Sequence, residues 1–185
     1  MEERGQGVPC LTAEAGAVEV REVPPGQREP LLPIIDASFT GLYQRHARRT
    51  LVEVDTVMVA QQGETAAGLV MLKMLGKQTG YVYYIAVLPA FRGRGTGARL
   101  LLASLDHFQR LGATEVYATV GEDNVESNAL FSGRGFRRTS LGEVSRKYGT
   151  LNALSMYRGM LVVPGEVVLV KDTATLTDST PSPNP

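Results

Sequence analysis

The stretch Phe91–Leu100, FRGRGTGARL, holds three glycines and three arginines and follows directly on the apolar run Tyr81–Pro89, YVYYIAVLP. A core segment has no place for three guanidinium groups, and an ordinary surface turn needs no glycine at every second position. A strand that ends, a glycine-rich turn and a helix that starts at once together make an anion site. The first amides of a helix have no partner within it, and its dipole puts partial positive charge there. Glycines let the backbone approach a ligand and adopt conformations that side chains block. Arg92 and Arg94 bring full charges that match phosphate oxygens.

Spacing removes two familiar phosphate loops. No Gly-Lys-Ser/Thr follows the glycines, so this is not a P-loop. The pattern is G-x-G-x-G in mid-chain with no acidic residue suitably placed on a following strand, unlike the dinucleotide fingerprint.

Outward from the loop, Thr56–Leu75 reads as two strands joined by a tight turn at Gln62-Gly63-Glu64, and Thr79–Pro89 as a third strand ended by its proline. After the loop, Leu101, Leu105 and Phe108 recur at helical spacing, with Gly112 as a C-terminal stop. Ala17–Val23 alternates like an edge strand, and the proline-bearing Pro24–Arg49 contains one or two short helices. Downstream, Glu115–Val120 is a strand, Asn124–Gly135 a short helix, Phe136–Leu141 a strand and Leu154–Val163 a further strand, with Glu166–Val170 adding one more. The organisation expected is a flexible N-terminus over 1–16, one domain over 17–170, and a disordered Thr/Ser/Asp/Pro tail over 171–185.

The chain has 185 residues, 43% of them hydrophobic, enough for one domain with a real core. Its 19 basic and 19 acidic residues cancel, so no global charge points to nucleic acid or to an anionic membrane. Cys10 is the single cysteine, and His46 and His107 lack ligand-like spacing. No disulfide framework and no metal site are therefore expected, and both histidines read as solvated or satisfied. With no signal-peptide pattern and no membrane-length apolar run, a cytoplasmic setting is expected.

Arg92–Gly97, RGRGTG, resembles the Arg/Gln-x-x-Gly-x-Gly/Ala motif of the GNAT superfamily of N-acetyltransferases. Asn124–Phe136, NVESNALFSGRGF, is similar to that superfamily's Asn-x-x-Ala/Ser-x-x-Leu-Tyr-x-x-x-Gly-Phe segment. The resemblance covers roughly Ala17–Val163. It implies an α/β fold with a mixed, mostly antiparallel central sheet, helices on both faces and a central splay. It also implies acetyl-CoA as co-substrate, with no metal, and direct acetyl transfer to a primary amine on a small molecule, peptide or protein. A homodimer is common in the family, and the last two strands are candidates for pairing between subunits.

Carried onto this chain, the resemblance puts the pantetheine arm along Ala86, Val87 and Leu88, added like a strand in the gap, with a backbone N–H near Val87 polarising the thioester. The backbone of Arg92, Gly93, Arg94, Gly95, Thr96, Gly97 and Ala98 would take the pyrophosphate. Asn124, Ser127 and Phe131 fall on the side of the short helix that faces the cofactor; Asn124 alternatively only caps that helix. Arg134, Arg137 and Arg138 could approach the 3′-phosphate or be solvated. Phe131 stands where the family usually has a tyrosine that protonates the leaving thiolate, which leaves the general acid unassigned and favours an alternative: a non-catalytic acyl-CoA-binding module.

For the proton on the amine, Tyr81 and Tyr83 share one face of their strand by alternation and Tyr84 lies on the other. The pair either relays a proton through water or is aromatic core. Glu53 and Asp55 are the next carboxylates to test, while Glu122 and Asp123 only close a turn. Leu42–Thr50, rich in arginine, helps form the acceptor cleft or is a solvated helix face. No cluster of carboxylates for a polycationic acceptor is evident.

Overall fold

Strands β2 (Thr56–Gln62) and β3 (Thr65–Gly76) carry unbroken runs of buried residues, so apolar cover must lie on both faces of the sheet they build. The computed structural model describes residues 17–173 and meets that demand. Around β2 and β3 lie β1 (Glu19–Glu22), β4 (Thr79–Val87), β5 (Glu115–Gly121), β6 (Arg137–Thr139) and β7 (Glu166–Asp172), in the spatial order β1-β2-β3-β4-β5-β7-β6. Every neighbouring pair is antiparallel except β4 with β5. That parallel pair matches only Thr79–Val82 with Glu115–Ala118, after which the two strands part. The α/β sheet with a central splay is as expected.

One face carries α3 (Thr96–Arg110), whose Leu100, Leu101, Leu105 and Phe108 pack on Val70, Leu72, Val82 and Val116. On the other, α1 (Leu32–Ser38) and α2 (Gly41–Glu53) cover β2 to β4. Beside them α5 (Leu141–Tyr148) and α6 (Thr150–Met160) cover β5 and β7, completing the second layer. Arg28, itself buried, fastens the N-terminal connection by donating to the carbonyls of Leu51 (3.1 Å) and Val54 (2.8 Å) at the end of α2.

The C-terminal third corrects the sequence reading. Leu154–Met160 of the expected strand is helix α6, and α5 precedes it. In α6 the buried residues are Ala153, Met156 and Met160, a three-to-four-residue spacing that apolar density alone conceals. Helix α5 begins with a capping box: Ser140 Oγ accepts from the Glu143 amide (3.2 Å) and Glu143 accepts from the Ser140 amide (2.8 Å). Strand β7 does exist, but it lies between β5 and β6, paired along its length with β5 and over Val168–Val170 with β6, so its central residues offer no free edge. It runs to Asp172, and Thr173 Oγ1 donates to Ala113 O at 2.6 Å, carrying the ordered chain past Val170. The expectations for 1–16, Cys10 among them, and for the tail from 174 onward lie outside the described residues.

Gly68 on β3 is where the sheet admits no side chain: a Cβ there would stand 2.6 Å from Ala86 O and 3.2 Å from a Val87 methyl. Gly68→Val should push β4 away at the mouth of the splay and cost about 1–3 kcal/mol. Thermal unfolding reads this as a melting temperature lower by several degrees; an unchanged value would mean that β4 yields freely.

Candidate active site

The splay is decided by which backbone groups β4 has already committed. Leu88 N–H donates to Ala67 O at 2.9 Å. In an antiparallel ladder the pairs that exchange hydrogen bonds alternate, so Ala86, opposite Leu69, also faces β3. Ile85 and Val87 therefore turn their N–H and C=O into the gap that β5 has left. Arg92 confirms the parity, since its Nε donates to Val87 O at 3.1 Å. Of the expected Ala86, Val87 and Leu88, only Val87 offers its backbone; Ile85, not anticipated, offers the other. Ladder parity depends on register with β3, and no local pattern in β4 announces it.

The chain then turns once through Pro89–Phe91 and enters the glycine loop. Gly93 (φ 69°) and Gly95 (φ 81°) sit in the left-handed region that glycine alone adopts without strain. Gly95 is the N-cap of α3 and supplies no side-chain acceptor, so the amides of Thr96, Gly97 and Ala98 begin the helix uncapped. Arg94 and Gly95 are exposed, while Thr96 is buried with its Oγ1 on Phe91 O (3.2 Å). A Cβ on Gly97 would touch Leu130 at 3.5 Å and Val87 at 3.8 Å, which marks where the start of α3, the end of β4 and helix α4 (Val125–Ser132) converge.

Helix α4 answers two open questions. Asn124 caps it, its Oδ1 taking the Ser127 amide at 3.0 Å. Phe131 does not face the gap: it is buried, edge-on to Phe136 with ring centres 5.0 Å apart. The phenylalanine is core because its face of α4 packs against the sheet, and a ring without a hydroxyl loses nothing there. Asn128, which sequence reasoning passed over, fastens α4 to the end of β5 by donating to Gly121 O (3.0 Å) and Asn124 O (2.8 Å). Arg138 pairs with Glu122 at 3.2 Å, and the buried Arg134 Nε has no partner among the described residues.

On the opposite face, a β-bulge overturns the expected alternation of tyrosines. Met71 stands opposite Tyr84 and Leu72 opposite Val82, leaving Tyr83 as the extra residue. Tyr84 is therefore turned onto the face of Tyr81 and Tyr83, with ring centres 5.1 Å (Tyr81–Tyr83) and 5.3 Å (Tyr83–Tyr84) apart. Tyr81 is only 1% exposed, and its hydroxyl donates to Met160 O (3.0 Å) while meeting Thr119 Oγ1 (2.8 Å). Burial drives its pKa far up, so it is a pin at the fork of β4 and β5 and is not open to the cleft.

Tyr83 and Glu53, by contrast, do come together, in a cavity of about 320 Å³ that His46, Thr50, Asp55 and Lys73 also line. Burial first, then the Glu53 charge, raise the Tyr83 pKa. Glu53 is exposed and held by Arg49 at 2.9 Å. His46, read from sequence as solvated or satisfied, is half-buried with Nδ1 3.0 Å from the Tyr84 hydroxyl.

A second cavity, about 520 Å³, is lined by Tyr43, Gly121, Glu122, Asp123 and Glu166 among others. Tyr43 donates to Glu166 Oε1 at 3.0 Å. Three carboxylates thus do gather near the splay, contrary to the sequence reading, because the pairing of β5 with β7 sets Gly121 opposite Glu166. Among the described residues, no group of three or more ligand-type side chains could hold a metal, and no helix is long and apolar enough to cross a membrane.

Residues 28–136 match the profile of the Acetyltransferase (GNAT) family, and the chain belongs to that family. It is similar to the L-2,4-diaminobutyric acid acetyltransferase of Nocardia farcinica, at 36% identity over 85 residues, 45% of this chain and 44% of the relative. It is also similar to the N-alpha-acetyltransferase RimI of Mycobacterium tuberculosis, at 37% over 101 residues, 53% of this chain and 60% of the relative. The chain thus spans about half the length of these curated relatives. Among solved structures, a Bacillus subtilis acetyltransferase in complex with CoA shares the fold, with a TM-score of 0.63 at 18% identity over 84% of this chain and 99% of its own.

Tyr81→Phe should lower stability by about 1–2 kcal/mol through the stranded Met160 carbonyl and Thr119 hydroxyl. Urea unfolding measures the loss. A full-strength fold with diminished activity would instead return Tyr81 to the catalytic set.

Proposed function

We propose that the chain transfers an acetyl group from acetyl-CoA to a primary amine. The observation that carries this is the alignment of two sets of backbone groups turned away from the sheet's own ladder: those of Ile85 and Val87 in the splay, where Val87 O accepts from the Arg92 side chain, and the uncapped amides of Thr96–Ala98 just beyond it. The first set suits the amides of a pantetheine arm lying along β4. The second, with Gly93, Gly95 and Arg94, suits a pyrophosphate. Membership of the acetyltransferase family and the names of the matched relatives support the same substrate.

The amine nitrogen attacks the thioester carbon and gives up a proton that ends on solvent, the N–C bond forms, the C–S bond breaks, and the thiolate departs. The Val87 N–H lies in the gap where it can stabilise the oxyanion. Holding amine and thioester in contact supplies much of the acceleration. The acceptor approaches from the tyrosine face, and the carboxylates Glu122, Asp123 and Glu166 suit a cationic amine. Phe131, buried away from the gap, protonates nothing, so the thiolate takes its proton from water. That same residue favours a second reading, a module that binds acyl-CoA without turnover.

Calorimetry with acetyl-CoA separates these outcomes when native protein is compared with Gly95→Ala and Gly95→Glu. A Cβ at Gly95 meets nothing within 4 Å, so both variants carry the same left-handed backbone strain, about 1–2 kcal/mol, and differ only in charge and bulk. Gly95→Ala should bind within about tenfold of native, as that strain allows, and Gly95→Glu should lose binding. Release of free thiol with a panel of amines then supports the enzyme; tight binding without release supports the module. Native protein that does not bind acetyl-CoA overturns both.

A further inference from the structure

His46 on α2 bridges two environments. Its Nδ1 lies 3.0 Å from the Tyr84 hydroxyl and 3.3 Å from Thr50 Oγ1, while its ring stacks on Tyr83 at 5.8 Å and lines the 320 Å³ cavity. Its Nε2 makes no hydrogen bond to protein among the described residues. The bulge at Tyr83 creates this contact, because without it Tyr84 would point at α3. The ring therefore has Nδ1 committed to the tyrosine face of β4, while the residue also lines an open cavity.

We propose that Tyr84 and His46 form the route by which the acceptor amine loses its proton. The proposal rests on the acetyl-transfer reading. As the amine nitrogen bonds to the thioester carbon, its proton passes to the Tyr84 oxygen and the Tyr84 proton passes to His46 Nδ1. His46 then gives up its excess proton to water in the cavity, and the departing thiolate takes one from solvent, so charge balances. Tyr84 is the catalytic residue and His46 acts through it. Burial raises the Tyr84 pKa, aided by Tyr83, Glu166 and Tyr43, so Tyr84 is a neutral hydroxyl that needs a basic partner to move a proton. The charged and titratable groups that share the cavity with His46 are Arg49 and Glu53 on α2, Asp55 after it, Lys73 on β3 and Tyr83 on β4. Arg49 and Glu53 pair with each other and Asp55 accepts from the Met74 amide at 3.1 Å, while the His46 imidazole is the basic group in hydrogen-bond contact with the Tyr84 hydroxyl.

The test is kcat and KM, measured separately, for native protein, His46→Gln, Tyr84→Phe and the double variant, with thermal unfolding as the control for folding. Each single change should lower kcat by about 10²-fold with the KM for acetyl-CoA held, and the double variant should be no worse than either, as for residues acting in series. Losses that multiply, or a loss confined to the KM for acetyl-CoA, overturn the relay while acetyl transfer stands. Native protein without turnover overturns both together. If a variant fails to fold, nitrogen NMR of native His46 decides: the route needs Nδ1 unprotonated and Nε2–H, and the opposite tautomer overturns it.

Discussion

Everything at this site depends on one break in a hydrogen-bond ladder. After Val82, β4 keeps β3 on one side and loses β5 on the other. A buried peptide group left without a partner is costly, so a fold that tolerates such a gap must offer those groups to something else. Here they are the amides and carbonyls of Ile85 and Val87, and the first of the waiting partners is the Arg92 side chain. The pin at the fork is Tyr81, whose hydroxyl ties Thr119 of β5 to the end of α6. Opening the ladder and pinning its vertex are therefore the work of adjacent residues on a single strand.

The bulge at Tyr83 is the second constraint, and it divides the labour between the faces. Before it, Val82 belongs to the α3 side and Tyr81 to the other; after it, Ile85 and Val87 return to the α3 side while Tyr83 and Tyr84 stay opposite. One inserted residue thus keeps the side chains that lead into the glycine loop and the aromatic cleft on opposite sides of one sheet. A thioester threaded between them would meet its acceptor from the far side, with His46, Tyr43 and the carboxylates already in place.

What could be read in advance follows from the range of each interaction. The loop was legible because strand end, glycines and helix start all lie within Tyr81–Gly112, and the β2–β3 hairpin because its turn is local. Tyr84's face was not, since a bulge is a property of two strands and alternation is the best that one can say. Nor was the choice of Val87 and Ile85 over Ala86 and Leu88, which the ladder with Ala67 and Leu69 decides. The gathering of Glu122 and Asp123 with Glu166 joins segments some forty residues apart through the β5–β7 register. Helix α6 was a different kind of miss: its spacing, and the Ser140–Glu143 cap of α5 before it, were present in the sequence but hidden under a run of apolar residues.

An interior strand with an open flank carries a hazard that ordinary enzyme clefts do not. Exposed N–H and C=O rows recruit other extended chains, and natural sheets guard such rows with charge. In this protein the guard is Arg92, laid across the Val87 carbonyl from the same loop that would cradle a pyrophosphate. The same loop thus holds both the open turn and a cover for the strand that leads into it: the planar guanidinium of Arg92 puts a positive charge on the Val87 carbonyl, which an incoming strand would have to displace.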